Sequence, residues 1–268
     1  MRPAGPDSLL VIVPARNEEE AIAGVVRSVR REVPGAPVLV IDDCSRDGTI
    51  AAAESAGADV LRLPYHLGLG GCVQAGYKLA FELGFHYVIR VDGDGQHDAR
   101  DIPRILESLK SSGCEMVIGT RVNGDGGYHP GLIRSLGSRF FRMVLRPILG
   151  KPVTDPTSGF VGVNRQALAV FSQSFPLAYP EIEALVVLQR RRFRFEEVPC
   201  KMRPRVTGRS SITALKSIYY IAHVLLGVFV NVLKYESPSA RARRHASPAQ
   251  PKEPRGEHGS PVERHHRA

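Results

Sequence analysis

Residues 87–99 read YVIRVDGDGQHDA. An apolar, strand-like run breaks off into Asp92, Gly93, Asp94, Gly95, Gln96 and His97, so two carboxylates and an amide are separated only by glycines. Carboxylates this close repel each other, and the arrangement makes sense if a cation sits between them. The donors are hard oxygens, which suit magnesium or manganese rather than zinc. The glycines permit a tight turn and let the phosphates of a second molecule approach the backbone. An EF-hand loop requires glutamate at its twelfth position, where this chain has Pro103, so that reading is excluded. Taken alone, the stretch is a weak signal and is better explained by an acidic strand-end turn that caps the next helix.

The neighbouring sequence gives it a setting. Short β-rich runs LLVIVP (9–14), PVLVID (37–42), DVLRLP (59–64), YVIRVD (87–92) and MVIGT (116–120) alternate with helical patterns. In DIPRILESLKSSG, for example, Ile102, Ile105, Leu106 and Leu109 share one face and Gly113 offers a stop. Runs apolar on both faces and linked through helices describe an α/β fold, a mostly parallel Rossmann-like sheet with helices on both faces. Ligands of such sheets bind at the carboxyl ends of the strands, where Asp42, Asp43, Asp92 and Asp94 all fall. Asn17 and Asp47 read as helix caps, whereas capping alone does not explain paired acids at two strand tips. HLGLGG (66–71) lacks the dinucleotide-binding glycine spacing and reads as a permissive loop into a helix.

Further along, residues 132–149 read as a helix, with Arg134, Ser138 and Arg142 recurring every fourth residue and Pro147 bending or ending it. The loop GKPVTDPTSGF and the strand FVGVN follow, and FRFEEV closes the domain near residue 200. From Ser217 to Leu233 the chain carries no formal charge over 17 residues. A helix of that length spans about 25 Å, short of a hydrocarbon core of about 30 Å. A helix in the membrane interface, one docked on a membrane partner and a buried core helix stay open as readings. Past Glu236 almost nothing is apolar, and the tail reads as disordered. The expected organisation is a catalytic domain over 1–210, an apolar membrane-interface or docking helix over 211–235, and a basic tail over 236–268.

Composition sets the outer bounds. The chain has 268 residues, 43% hydrophobic and 24% charged, which is ordinary for a globular protein and enough for one sizeable core. The net charge of +9 suits an anionic membrane face, a phosphorylated substrate or nucleic acid. Nucleic acid is set aside, because the body's basic residues fall in phosphate-site motifs and no recognition module is visible. Cys44, Cys72, Cys114 and Cys200 form no C-x-x-C pair, which argues against a zinc site or a disulfide framework. The five-residue apolar run near the N-terminus is too short for a signal-peptide core, so a cytoplasmic location is expected.

Six motifs, VIVPARNEE, VIDDCSRDGT, VDGDGQH, GTR, DPTSGF and RVTGRSS, occur in the order and spacing of family 2 glycosyltransferases of GT-A fold. Within that family the chain most resembles the dolichyl- or polyprenyl-phosphate mannosyltransferase type, over roughly residues 8–215. The resemblance implies that Pro14, Arg16, Glu18, Val40 and Asp42 hold the nucleotide of a donor such as GDP-mannose or UDP-glucose. It implies Asp92, Asp94 and Gln96 as ligands of Mg²⁺ or Mn²⁺ on the diphosphate. It assigns Arg121, Arg134 and Ser138 to the lipid phosphate, Arg205 to the donor phosphates and Asp155 to the reaction centre. Asp94, Asp155, Arg121 and Arg134 are thus the catalytic candidates. The chain departs from the pattern at two positions: Arg16 stands where many relatives have tyrosine, and His66 replaces a common asparagine.

The implied activity is inverting, metal-dependent transfer of a hexose to polyprenyl phosphate. It would take place at the inner face of the cell membrane, where the enzyme is peripheral and a small membrane protein is a candidate partner. Two alternatives stand beside it: transfer to a saccharide hydroxyl in surface polysaccharide synthesis, and a catalytically silent nucleotide-binding subunit.

Overall fold

The computed structural model describes residues 5, 7–121, 142–177 and 179–203. Arg134, Ser138, Arg205, the helix expected over 211–235 and the tail lie outside the described residues.

Seven strands form one sheet in the order β3-β2-β1-β4-β6-β5-β7. They are β1 (Leu9–Ala15), β2 (Val38–Asp42), β3 (Asp59–Arg62), β4 (Tyr87–Arg90), β5 (Met116–Arg121), β6 (Val161–Asn164) and β7 (Phe195–Cys200). All pairings are parallel except those of β6, which runs antiparallel to both β4 and β5. The expected mostly parallel sheet is therefore present, and it carries the GT-A-like arrangement.

The helices α1 (Glu19–Glu32), α2 (Thr49–Ser55) and α4 (Ile102–Ser112) cover one face. The other carries α3 (Gly68–Glu82), a helical stretch over 142–149 (α5), α6 (Arg165–Gln173) and α7 (Pro180–Arg190). Period-two alternation in β1 divides the core between them: Leu10 and Ile12 pack under α3, while Leu9, Val11 and Val13 pack under α1. Both sets are buried, which is why the strands read as continuous apolar runs.

Two details differ from the expectations. Helix α5 runs through Pro147 to residue 149 and stops at Gly150, whose φ of 69° is left-handed. Near a helix end a proline removes only the bond that its own N–H would have made, so the glycine is the terminator. Asn17 does not cap α1, whose preceding residue is Glu18. It sits at φ 53° and its Oδ1 accepts the Arg46 N–H at 2.8 Å. The first amides of α1 are satisfied across the gap instead: Glu18 N–H donates to Thr49 Oγ1 and Glu19 N–H to Asp47.

Strand β6 decides where the site lies. Its antiparallel run makes it the strand whose beginning, rather than its end, lies among the C-terminal tips, with Val161 opposite Arg90 and Ile118. The DPTSGF loop just before it is thereby delivered beside the acids that follow β4.

Candidate active site

A cleft of about 280 Å³ opens at the strand tips, lined by Pro14, Ala15, Arg16, Glu18, Asp43, His66, Leu69, Cys72, Asp92, Gly93 and Asp94. Four of its walls are carboxylates, contributed from beyond β1, β2 and β4. Asp92 follows the end of β4 by two residues, and its carboxylate is held from below. Arg90 donates through Nε and Nη2 to Oδ1 at 3.2 and 3.0 Å. Arg90 is itself buried and pairs with Glu181 Oε1 of α7 at 2.9 Å. Burial pushes the Asp92 carboxyl upward, but Arg90 and His97 outweigh it and hold it below the usual carboxylate value.

The glycine-rich turn is closely fitted. Asp92 N–H donates to His97 Nδ1 at 3.0 Å, and the His97 ring stacks on Phe160 with centroids 4.8 Å apart. Burial pushes His97 below its ordinary value, against the pull of Asp92. Gln96 N–H donates to Asp94 Oδ1 at 3.0 Å, closing the turn. A β-carbon on Gly93 would stand 3.1 Å from the Pro14 carbonyl, and one on Gly159 would stand 2.6 Å from Asp92 Oδ2. These glycines bring the β1 tip and the DPTSGF loop into contact with the acid turn.

Beside it, Asp155 and Arg121 form a bidentate pair: Nε to Oδ2 at 2.5 Å and Nη2 to Oδ1 at 2.8 Å. Arg121 Nη2 also donates to Thr157 Oγ1 at 2.9 Å. Burial raises the Asp155 carboxyl, but the Arg121 guanidinium outweighs it and keeps the group more acidic than usual.

At the opposite flank, Asp43 accepts the Leu67 and Gly68 N–H groups at 2.7 and 3.0 Å, fastening the start of α3 to the tip of β2. The expected loop into this helix is present, with Gly68 at φ 74°. His66 Nδ1 lies 2.7 Å from Asp43 Oδ2, and His66 Nε2 lies 2.8 Å from Arg16 Nη1. Cys72 lines the cleft as a thiol pushed up to about 12 by burial first and Asp43 second, so it is no nucleophile.

Of the residues expected here, Pro14, Arg16, Glu18, Asp92 and Asp94 line the cleft, with Gln96 in the same turn. Asp42 is buried below the rim; its Oδ2 accepts the Ser45 N–H and its Oδ1 is a buried oxygen without a partner among the described residues. Val40 does not line the cleft: its side chain is wholly enclosed in the core under α1. Asp43 was placed among the strand-tip acids by the sequence, whereas His97, Arg90 and Glu181 were not singled out as site residues. Arg90 was findable, since a charge inside the run YVIRVD must be paired when the strand is buried.

Among the described residues no group of three His, Cys, Asp or Glu side chains converges to hold a metal. Two carboxylates and an amide fit magnesium or manganese, which bind through one or two carboxylates plus phosphate oxygens and water.

A family model described as glycosyl transferase family 2 matches residues 10–171. An undecaprenyl-phosphate mannosyltransferase of Micrococcus luteus is 30% identical over 217 residues, covering 76% of this chain and 87% of that protein. A polyprenol monophosphomannose synthase of Mycolicibacterium smegmatis is 33% identical over 174 residues, 59% of this chain and 62% of the relative. Among solved structures, glucosyl-3-phosphoglycerate synthase of Mycobacterium tuberculosis, crystallised with Mn²⁺, UDP and glucosyl-3-phosphoglycerate, superposes with a TM-score of 0.66 at 23% identity. That superposition covers 84% of this chain and 79% of the other, and it bears on the fold alone.

Proposed function

The chain belongs to glycosyl transferase family 2, and from that premise we propose that it transfers a hexose from a nucleotide sugar to a polyprenyl phosphate, with a divalent ion and with inversion at the anomeric carbon. The observation that carries the metal requirement is the charge of the cleft. Among the described residues Glu18, Asp43, Asp92 and Asp94 line it, with Arg16 and His66 as the basic side chains. A diphosphate has no favourable place among four carboxylates until a cation stands between them.

Asp92, Asp94 and Gln96 would hold Mg²⁺ or Mn²⁺, which neutralises charge on the departing nucleoside diphosphate. Arg90 fixes the Asp92 carboxylate from the protein side, and the turn closed by Gln96 N–H orients Asp94. Asp42 Oδ1, buried and without a partner among the described residues, supports a nucleoside donor group nearby, since a buried acceptor left unpaired is costly.

The state of Asp155 supports a phosphate acceptor over a sugar hydroxyl. A hydroxyl nucleophile needs a general base, ideally titrating near the working pH. Asp155 is engaged through both oxygens by Arg121 and held more acidic than usual, which makes it a weak base. A phosphate monoester, with a second pKa of about 6, is mostly dianionic at neutral pH and requires positioning rather than deprotonation. The relatives named for undecaprenyl-phosphate mannosyl transfer and polyprenol monophosphomannose synthesis support the same acceptor. A hexose of the mannose or glucose type on GDP or UDP is the proposed donor.

Work at the cytoplasmic membrane face is part of the proposal; among the described residues no helix is long and apolar enough to cross a membrane. Purified protein with Mn²⁺ or Mg²⁺, a panel of nucleotide sugars and a short-chain polyprenyl phosphate gives the test. Transfer that depends on the metal and is abolished by Asp94→Asn is expected. Near-normal turnover of that variant would refute the metal assignment. Transfer to saccharide hydroxyls but not to the lipid phosphate would refute the acceptor. Nucleotide binding with no transfer at all would indicate a silent subunit.

A further inference from the structure

Arg16 and His66, noted above as departures from the family pattern, are partners in space. Arg16 leaves the end of β1, crosses the tip of β2 and meets His66 in the loop beyond β3. We infer that Arg16 reads the carbonyl edge of the donor's nucleobase, held in position by His66 and Asp43. This rests on the nucleotide-sugar reading above and adds a specificity residue to it.

The hydrogen bonds fix the arrangement. A carboxylate only accepts and a guanidinium only donates. His66 Nδ1–H therefore donates a hydrogen bond to Asp43 Oδ2 at 2.7 Å, and His66 Nε2, left with its lone pair, accepts from Arg16 Nη1 at 2.8 Å. A ring with one N–H satisfies both neighbours. Asp43 cannot be the reader itself. Its two oxygens already receive Leu67 N–H, Gly68 N–H and His66, and its side chain is 6% exposed.

The backbone on either side is equally constrained. Asn17 and Cys44, which directly follow Arg16 and Asp43, both adopt left-handed φ values, 53° and 59°. Non-glycine residues hold that conformation when their surroundings enforce it. Here the two loops are laced together by Asn17 N–H to Ser45 Oγ, Arg46 N–H to Asn17 Oδ1 and Gly48 N–H to Glu19 Oε2.

Topology assigns the ligand's end. The acid turn that would hold the diphosphate follows β4 on one side of β1, and Arg16 leans over β2 on the other. A nucleotide anchored by its diphosphate at β4 must extend its nucleoside toward β2 and β3, where Arg16 stands. A guanidinium has five N–H donors in a planar fork, and one goes to His66. Those remaining match the carbonyl of uracil, or the O6 and N7 pair of guanine. Adenine presents an amino donor at the corresponding edge and offers the fork no carbonyl.

The test is calorimetric titration of UDP, GDP and ADP, with Mn²⁺ present, into wild-type protein and the Arg16→Ala, Arg16→Lys, His66→Ala and Arg16→Ala/His66→Ala variants, each checked for an unchanged melting curve. Wild type is expected to bind UDP and GDP about tenfold more tightly than ADP. Arg16→Ala and His66→Ala should each reduce that preference severalfold, weakening UDP and GDP binding more than ADP binding, and the double variant should be no worse than Arg16→Ala alone. Arg16→Lys, which keeps the charge without the fork, should also lose the preference. Equal weakening for all three nucleotides, additive losses in the double variant, or no preference in the wild type would overturn the inference. Absence of binding for all three would bring down the donor reading itself, and this inference with it.

Discussion

Arg121 closes on Asp155 through two parallel contacts, Nε to Oδ2 at 2.5 Å and Nη2 to Oδ1 at 2.8 Å, with both side chains largely removed from solvent. The pair joins the end of β5 to the loop ahead of β6. Replacing Asp155 by asparagine removes the carboxylate paired with a largely buried guanidinium, at a cost of about 3 kcal/mol at neutral pH. The folded-state carboxyl is more acidic than the unfolded one, so its contribution is complete above about pH 4 and is lost as pH falls through the lower folded value. Urea denaturation of Asp155→Asn should therefore show a deficit at pH 7 that narrows at pH 3; a deficit independent of pH would contradict this.

Arg90 lies inside the sheet between Asp92 and Glu181, with 4% of its side chain exposed. Arg90→Met strands Glu181 and removes the support of Asp92, and should cost about 3–5 kcal/mol by chemical denaturation. Arg90→Met/Glu181→Met restores neutrality on the α7 side and should recover part of that loss. A double variant as unstable as the single one would mean that the ion pair is not what links α7 to β4.

Two glycines separate site from scaffold. In Gly70→Ala the new methyl group would meet the backbone of Pro176 and Leu177 at 2.5 Å, contacts that cannot swing aside. A stability loss of about 1–3 kcal/mol with little change in Mn²⁺ affinity is expected. In Gly159→Ala the methyl group would stand 2.6 Å from Asp92 Oδ2 and 2.7 Å from Arg90 Nη2. That variant should weaken Mn²⁺ binding, measured by electron paramagnetic resonance, by about tenfold or more; an unaltered Mn²⁺ affinity would exclude Asp92 as a ligand.

Acid sensitivity has a separate source in Asp98. Its side chain is 2% exposed, with Arg100 and Arg203 paired to it. Burial raises its carboxyl, but the bonds from Arg100 and the charge of Arg203 lower it to about 2. Between about pH 4 and pH 2 the unfolded chain takes up a proton there that the folded chain does not, so stability falls with pH over that window. Asp98→Asn should flatten the window in a stability-against-pH series; an unchanged slope would mean that the pair does not control it.

Much of the fold could be read along the chain, because burial on both sides of a parallel sheet writes itself as uninterrupted apolar runs. LLVIVP, PVLVID and MVIGT fell within a residue or two of β1, β2 and β5. The acid turn was legible for a related reason: D-G-D-G-Q is local, and its carboxylates, amide and glycines act within six residues. What sequence could not specify is which distant elements meet there. Only the reversed direction of β6 sets Gly159 against Asp92 and draws Asp155 onto Arg121. Only the order of β1, β2 and β3 brings Arg16 to His66 across 50 residues. Val40 lies two residues short of the end of β2, where both faces of the sheet are covered by helices, so its side chain is enclosed in the core and does not line the cleft. Residue chemistry and local turns follow from neighbours in the chain, whereas charge pairing at the strand tips follows from strand order and direction, which packing of the whole sheet decides.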